Sequence, residues 1–245
     1  MQDHRDQRRY QRQMGLPEIG EQGQKRLARS RVFVGGLGGL GSVISTYLCA
    51  AGVGFLRIAD RDRVEISNLN RQILHWAKDV GREKTVSARE KLAALNPETE
   101  IETHNLEIDP ENAAELVQGC QVIVDGTDNL ETRRVLNRTS LDLDLPFVHG
   151  GINGFNGMIS TFVPGRSPCF ECLFSEFGSP ASPPPVLGSV AGVVGSLQSL
   201  EVIKCLLGLM DGLLIGRLLF MQGQTMAFRE ISLEKNPGCP ECRGR

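Results

Sequence analysis

Residues 31–41 read Arg31-Val-Phe-Val-Gly35-Gly36-Leu-Gly38-Gly39-Leu-Gly41. Arg31 to Gly35 read as a short buried strand, Gly36 to Gly41 as a glycine-rich turn, and Ser42 to Ala51 as a helix. Gly36-x-Gly38-x-x-Gly41 lets the backbone come close to phosphate oxygens, and the helix that follows offers its N-terminus to an anion. A second apolar run, Phe55 to Ala59, ends at Asp60, 22 residues after Gly38. A carboxylate there can accept hydrogen bonds from ribose hydroxyls. Strand, turn, helix, strand and acid together indicate a nucleotide-binding α/β unit. A close-packed turn with no ligand, and a capping or surface role for Asp60, are the competing readings.

Working outward, residues 18–29 read as a surface helix and Arg61 to Asp79 as a polar loop. Glu83 to Leu95 form an amphipathic helix stopped by Asn96-Pro97. Ile101 to His104 and Gln121 to Asp125 are predicted strands, as is Pro146 to Val148. Pro110 to Val117 and Leu130 to Leu141 are predicted helices. Short apolar runs alternating with helices up to residue 150 indicate a parallel α/β sheet. Beyond it, Gly157 to Val163 read as a strand in a hairpin or meander, and residues 175–188 as a mobile Ser/Pro/Gly loop. Val190 to Leu209 read as a buried helix, and Leu218 to Met221 and Phe228 to Leu233 as late strands. No repeat or linker divides the 245 residues, so they are expected to form a single domain (1–245) with a nucleotide half at about 30–150 and a second half at 151–245.

Composition narrows the function. A net charge of -2 gives no electrostatic reason to expect nucleic acid or an anionic membrane as partner. The N-terminal MQDHRDQRRYQRQ is too polar for a signal peptide. The longest apolar run, around Ser189 to Met210, is interrupted by Gly192, Gly195, Glu201 and Lys204, so no membrane span is expected. These features point to a cytoplasmic protein.

The loop after Asp60 carries Asn68-Leu-Asn-Arg71-Gln72, and Lys84 follows near the start of the next helix. Cations beside a nucleotide suit reaction at a phosphoryl group, where negative charge must be offset. Hydride transfer to NAD needs no such cluster. Taken singly, Arg71 and Lys84 could equally be solvated surface charges. Asp125-Gly-Thr-Asp128-Asn129 follows a predicted strand, and ligands of open α/β sheets sit beyond such strand ends. Asp128 can therefore hold Mg²⁺ against a triphosphate or cap the next helix. His75 is expected to pack or cap.

Seven cysteines are an odd number for a disulfide framework. Cys169-x-x-Cys172 and Cys239-x-x-Cys242 lie 66 residues apart. Two such knuckles fit a closed tetrahedral zinc site, with a redox dithiol or free thiols as alternatives. Cys49, Cys120 and Cys205 sit in apolar contexts and are expected in the core.

The ordered set Arg9-Tyr10-x-Arg12-Gln13, Gly35 to Gly41, Asp60, Asn68-Leu-x-Arg71-Gln72, Lys84 and Thr127-Asp128-Asn129 resembles the ThiF/MoeB/HesA family, bacterial relatives of ubiquitin-activating enzymes. The resemblance runs from about Arg9 to Cys242. It implies a Rossmann-like three-layer α/β fold with a mixed, mainly parallel sheet, C-terminal antiparallel strands and a structural zinc site, working as a homodimer. It implies an adenylyltransferase that uses ATP and Mg²⁺ to activate the C-terminal carboxylate of a ubiquitin-like β-grasp sulfur-carrier protein ending in Gly-Gly. Carried onto this sequence, Asp60 would bind ribose, and Gly36, Gly38, Gly39 and Gly41 would line the nucleotide. Asn68, Arg71, Gln72 and Lys84 would contact phosphates, and Asp128 would hold Mg²⁺. Arg12 would reach across the dimer, and Cys169, Cys172, Cys239 and Cys242 would bind Zn²⁺.

One departure stands out. Many family members carry a cysteine between the first cysteine pair and the next helix, whereas this loop reads Ser179-Pro-Ala-Ser-Pro-Pro-Pro185 and looks a few residues shorter. The expectation is an enzyme that stops at the adenylate, with no thioester in that loop. Adenylation of a peptide or other carboxylate, and NAD-dependent oxidoreduction, are the alternative activities.

Overall fold

β1 (Arg31–Gly35) lies inside an eight-stranded sheet, between β2 (Phe55–Ala59) and β4 (Val122–Asp125). In the computed structural model, which describes residues 7–178 and 184–244, the sheet order is β3-β2-β1-β4-β5-β6-β7-β8. β3 is Glu100–His104, β5 Phe147–Asn153, β6 Asn156–Phe162, β7 Arg217–Gln222 and β8 Ala227–Ser232. The first five strands run parallel. From β5 onward each pairing is antiparallel. The mixed sheet and the late antiparallel strands agree with the sequence expectation.

The central strands are apolar at almost every position because helices cover both faces. Val32 and Val34 of β1, Leu56 and Ile58 of β2, and Val122 and Val124 of β4 join one core. Phe33, Phe55 and Ile123, at the alternate positions, join the other. This period of two is what a pleated strand imposes.

The first core is closed by α3 (Gly39–Ala50), α4 (Lys84–Leu95) and α8 (Gly188–Leu207). A side-chain carbon on Gly195 would stand 2.8 Å from Val43 Cβ, so glycine there lets α8 lie close on α3. The second core holds α5 (Ala113–Val117), α6 (Leu130–Leu143) and Phe170 of α7 (Phe170–Phe174). By length and apolarity α8 does reach what a membrane span requires, which corrects the expectation drawn from its sequence. Within the fold it is a core helix. Its Gln198 donates to the carbonyls of Asp125 and Val148, and its Glu201 accepts from Thr161 Oγ1 and the Leu214 N–H.

Several elements differ from the sequence reading. The predicted helix from Pro110 starts only at Ala113, because Asp109 Oδ1 accepts the N–H groups of Glu111 and Asn112 and holds a turn there. β5 continues through Gly150-Gly151 to Asn153, paired along its length with β6. A helical turn at Gln7–Tyr10 and α1 (Gln11–Met14) precede α2 (Gly20–Arg29). They are held by buried Tyr10, whose hydroxyl donates to Glu98 and accepts from Asn96 Nδ2. In the 175–188 loop, Val186 makes an isolated bridge with Gly154. The cysteine-free stretch 179–183 lies outside the described residues.

Candidate nucleotide site and cysteine cluster

The strand order reverses between β1 and β4, and the turns after these two strands meet there. A side-chain carbon on Gly126 would stand 2.7 Å from the Gly36 carbonyl oxygen, and one on Gly41 only 1.8 Å from the same oxygen. Gly36 has φ +85, a value that an L-residue rarely adopts. Gly126 N–H donates to the Gly35 carbonyl at 2.7 Å, which ties the turns together. The result is a crevice at the carboxyl ends of parallel strands, backed by the N-terminus of α3. In open α/β sheets this is where ligands bind.

Asp60 closes one side of the crevice. Its carboxylate accepts the Leu37 N–H at 2.7 Å and the Asp62 N–H at 2.8 Å, which fixes it against the glycine turn. Burial raises the Asp60 carboxyl above its usual value, opposed by Lys84 and the two N–H donors. Lys84, the first residue of α4, is 4% exposed and far from a bulk-water setting. Its ammonium lies 2.8 Å from Asp62 and 4.0 Å from Asp60.

The 68–72 loop lies over the glycine turn. A side-chain carbon on Gly38 would stand 3.7 Å from Gln72 Nε2, and one on Gly39 would stand 3.7 Å from Arg71 Cγ. Gln72 is buried, and its Oε1 has no hydrogen-bond partner among the described residues. Arg71 is half-buried and donates to the Ser67 carbonyl at 2.9 Å. Asn68 shapes the loop. Its side chain accepts the Glu65 N–H, and its carbonyl accepts those of Arg71 and Gln72.

Asp128 is exposed at the mouth of the β4 turn and makes no side-chain hydrogen bond or ion pair among the described residues. The cap of α6 is Asn129, which accepts the Thr132 N–H, so the capping reading of Asp128 does not hold. Arg12 is exposed on α1 and does not join the others. Gln13 of the same helix bonds the carbonyl of Ala51, at the end of α3 remote from the glycine turn. Twelve helical residues separate the two ends, a span of about 18 Å.

His75 packs, as expected. Nε2 faces the Leu37 carbonyl at 3.1 Å and Nδ1 faces Ser87 Oγ at 2.9 Å. A carbonyl can only accept, so Nε2 carries the proton. Burial lowers the imidazole to about 4, and the ring is neutral at pH 7.

The sequence reading missed a buried polar network behind the β4 turn. Asp125 accepts from Arg133 at 3.0 Å, from His149 at 2.6 Å, and from Thr127 through both N–H and hydroxyl. Asp125 and His149 lie 24 residues apart on adjacent strands, a pairing that no local spacing signals.

The four cysteines of the two C-x-x-C pairs come together beside α6. All four sulfurs lie within 4.8 Å of one another, with Cys169–Cys172 at 3.9 Å, Cys169–Cys239 at 3.7 Å and Cys172–Cys242 at 3.4 Å. A tetrahedral ion with Zn–S bonds of about 2.3 Å places its sulfurs about 3.8 Å apart. The donor set therefore fits zinc and is inconsistent with two independent thiol pairs. Cys49 and Cys120 are buried, as expected, and Cys205 is partly buried against the first core.

A mixed sheet covered by helices on both faces, with a glycine turn, a buried acid and Lys84 at its switch point, defines an α/β protein with a candidate nucleotide site. The ThiF family model matches residues 10–241, and the chain belongs to that family. It is 42% identical over 245 residues to the adenylyltransferase and sulfurtransferase MOCS3 of Culex quinquefasciatus, covering 96% of this chain and 55% of that protein. The chain thus spans about half the length of such relatives. It is 40% identical to the sulfur carrier protein adenylyltransferase of Thermus thermophilus, covering 96% of this chain and 90% of that one. It is 42% identical to the SAMP-activating enzyme E1 of Haloferax volcanii, at 96% and 88% coverage. The crystal structure of E. coli MccB with ATP shares the fold, with TM-score 0.84, 23% identity, and coverage of 98% of this chain and 75% of that one.

Proposed function

We propose that the chain is an ATP-dependent adenylyltransferase. Its substrate is the C-terminal glycine carboxylate of a ubiquitin-like sulfur-carrier protein. The carrying observation is the crevice itself, where Asp60, buried Lys84, the 68–72 loop and an uncommitted Asp128 converge on the glycine turn. Relatives of nearly the same length, named for a sulfur carrier and for SAMP, support the substrate class.

In this reading the Asp60 carboxylate accepts from the ribose hydroxyls of ATP while the backbone of Gly36 to Gly41 lies along the nucleotide. Arg71, Lys84, Asn68 and Gln72 face the phosphates. A carboxylate is ionised at pH 7, so the attack on the α-phosphorus needs no general base. The O–P bond to the acyl group forms, the bond to the β-phosphate bridging oxygen breaks, and pyrophosphate leaves with the electron pair. Catalysis then consists of positioning two anions and offsetting the charge that develops. His75, neutral and doubly bonded, takes no part. Asp128 would hold Mg²⁺, which takes one or two carboxylates plus phosphate oxygens and supplies charge neutralisation. The four cysteines would hold Zn²⁺ as a closed structural site that ties residues 239–242 to α7. Arg12 serves the partner subunit of a homodimer, which accounts for its distance from its own crevice. The 30–150 half binds the nucleotide, and the 151–245 half receives the carrier.

ATP–pyrophosphate exchange with small β-grasp proteins ending in Gly-Gly tests the reading. Wild type should exchange, and Asp128→Ala and Arg71→Ala should each lose about 100-fold or more. Full retention by both variants would remove these roles.

A further inference from the structure

Thr127 immediately precedes Asp128, and each of its polar groups is held by one buried network. Its N–H and hydroxyl donate to Asp125 Oδ1 at 2.9 and 2.6 Å, and its carbonyl accepts from Arg133 Nη2 at 2.7 Å. Asp125 Oδ2 in turn takes Arg133 Nε at 3.0 Å and His149 Nδ1 at 2.6 Å. Asp125 is fully buried and His149 is 1% exposed. An unpaired buried carboxylate is costly, so its donors fix its orientation closely. The His149 ring cannot turn away. It meets the edges of Phe170 at 5.0 Å and Phe174 at 5.6 Å.

We propose that His149 is a positioning residue. Through Asp125 and Thr127 it sets the conformation of the β4 turn, and so the place at which Asp128 presents its carboxylate. Burial keeps the imidazole below its usual value, so it is a neutral ring donating Nδ1–H, and Arg133 supplies the balancing charge. Without His149, Asp125 Oδ2 keeps only Arg133, and the Thr127 backbone loses part of its fixed anchor. Groups that orient a metal-binding carboxylate typically matter 10- to 100-fold in metal affinity. The proposal rests on the nucleotide reading of the crevice given above.

The test is calorimetric binding of ATP to the full chain at graded Mg²⁺, with thermal melts of each variant. In His149→Leu the Mg²⁺ needed for half-maximal ATP binding should rise about 10-fold, while Mg²⁺-free ATP binding stays within about twofold. His149→Asn, whose amide nitrogen falls near the position of Nδ1, should restore the wild-type Mg²⁺ dependence. Thr127→Val leaves the aromatic cluster untouched and should shift the dependence in the same direction as His149→Leu. Folded variants with the wild-type Mg²⁺ dependence overturn the proposal, as does an equal loss with and without Mg²⁺. A wild type that binds no ATP refutes the nucleotide reading itself.

Discussion

Lys84 and Asp62 form a 2.8 Å ion pair whose two halves live in different surroundings, the lysine side chain 6% exposed and the aspartate 56%. The pair holds the ammonium at the rim of the crevice, and Asp60 lies only 4.0 Å from the same nitrogen. In the proposed reaction a triphosphate would compete with Asp62 for that cation. Asp62→Asn should therefore tighten ATP binding by a few-fold, whereas Lys84→Met should lower ATP–pyrophosphate exchange about 100-fold. Weaker ATP binding by Asp62→Asn in a titration would mean that Asp62 orients Lys84 and does not compete for it.

The contact between the two turns sets a second expectation. In Gly126→Ala the new methyl group would stand 2.7 Å from the Gly36 carbonyl oxygen and 2.9 Å from Gly41 Cα. All of these atoms are backbone and cannot swing aside. A loss of about 1–3 kcal/mol in urea unfolding, together with loss of ATP binding, is expected.

Burial of His75 should contribute to the acid limb of the stability curve. Its folded-state value, about 4, lies below the ordinary 6.5, so the unfolded chain binds the proton more readily. Stability from this group is complete above pH 6.5 and falls as the pH drops toward 4, by at most about 3 kcal/mol. Urea melts across this range should show the slope in wild type and a smaller one in His75→Gln. Equal slopes would assign the acid limb to other groups.

The cysteine cluster should bind one zinc per chain. Cys169→Ser, or prolonged chelation, should release the metal and lower the melting temperature, since the same cluster anchors the segment around Cys239 to α7. Metal analysis showing full zinc in the serine variant would exclude Cys169 as a ligand.

Arg12 allows a complementation test. Arg12→Ala and Asp128→Ala should each be inactive alone. If Arg12 acts in the partner's crevice, a random mixture of the two should recover about a quarter of wild-type activity, because half the dimers are mixed and each has one intact site. No recovery after subunit exchange would place Arg12 and Asp128 in the site of one subunit.

Much of this was legible where local spacing carries the signal. The bounds of β1 and β2 coincide with the apolar runs 31–35 and 55–59, and both C-x-x-C pairs meet as their chemistry requires. Other features depend on partners distant in sequence. Asp125 reads as part of a strand end, and only the fold brings His149 and Arg133 onto it. α7 has five residues, too few for a helical period to show. Gly150-Gly151 weaken the reading of β5 beyond Val148, yet glycine suits position 150, because an added side-chain carbon would stand 2.4 Å from the Gln198 side-chain amide and displace it. Asp128 left a capping reading open beside the Mg²⁺ one because the cap lies one residue further on, at Asn129.

β5 belongs to both halves, pairing with β4 through Phe147 and Val148 and with β6 along seven residues. No hinge can operate across a strand shared in this way. In the proposed reaction, admission of a carrier's tail would then fall to the loops that border the sheet, and hydrogen exchange should find the slowest amides of both halves opening together, as one cooperative block.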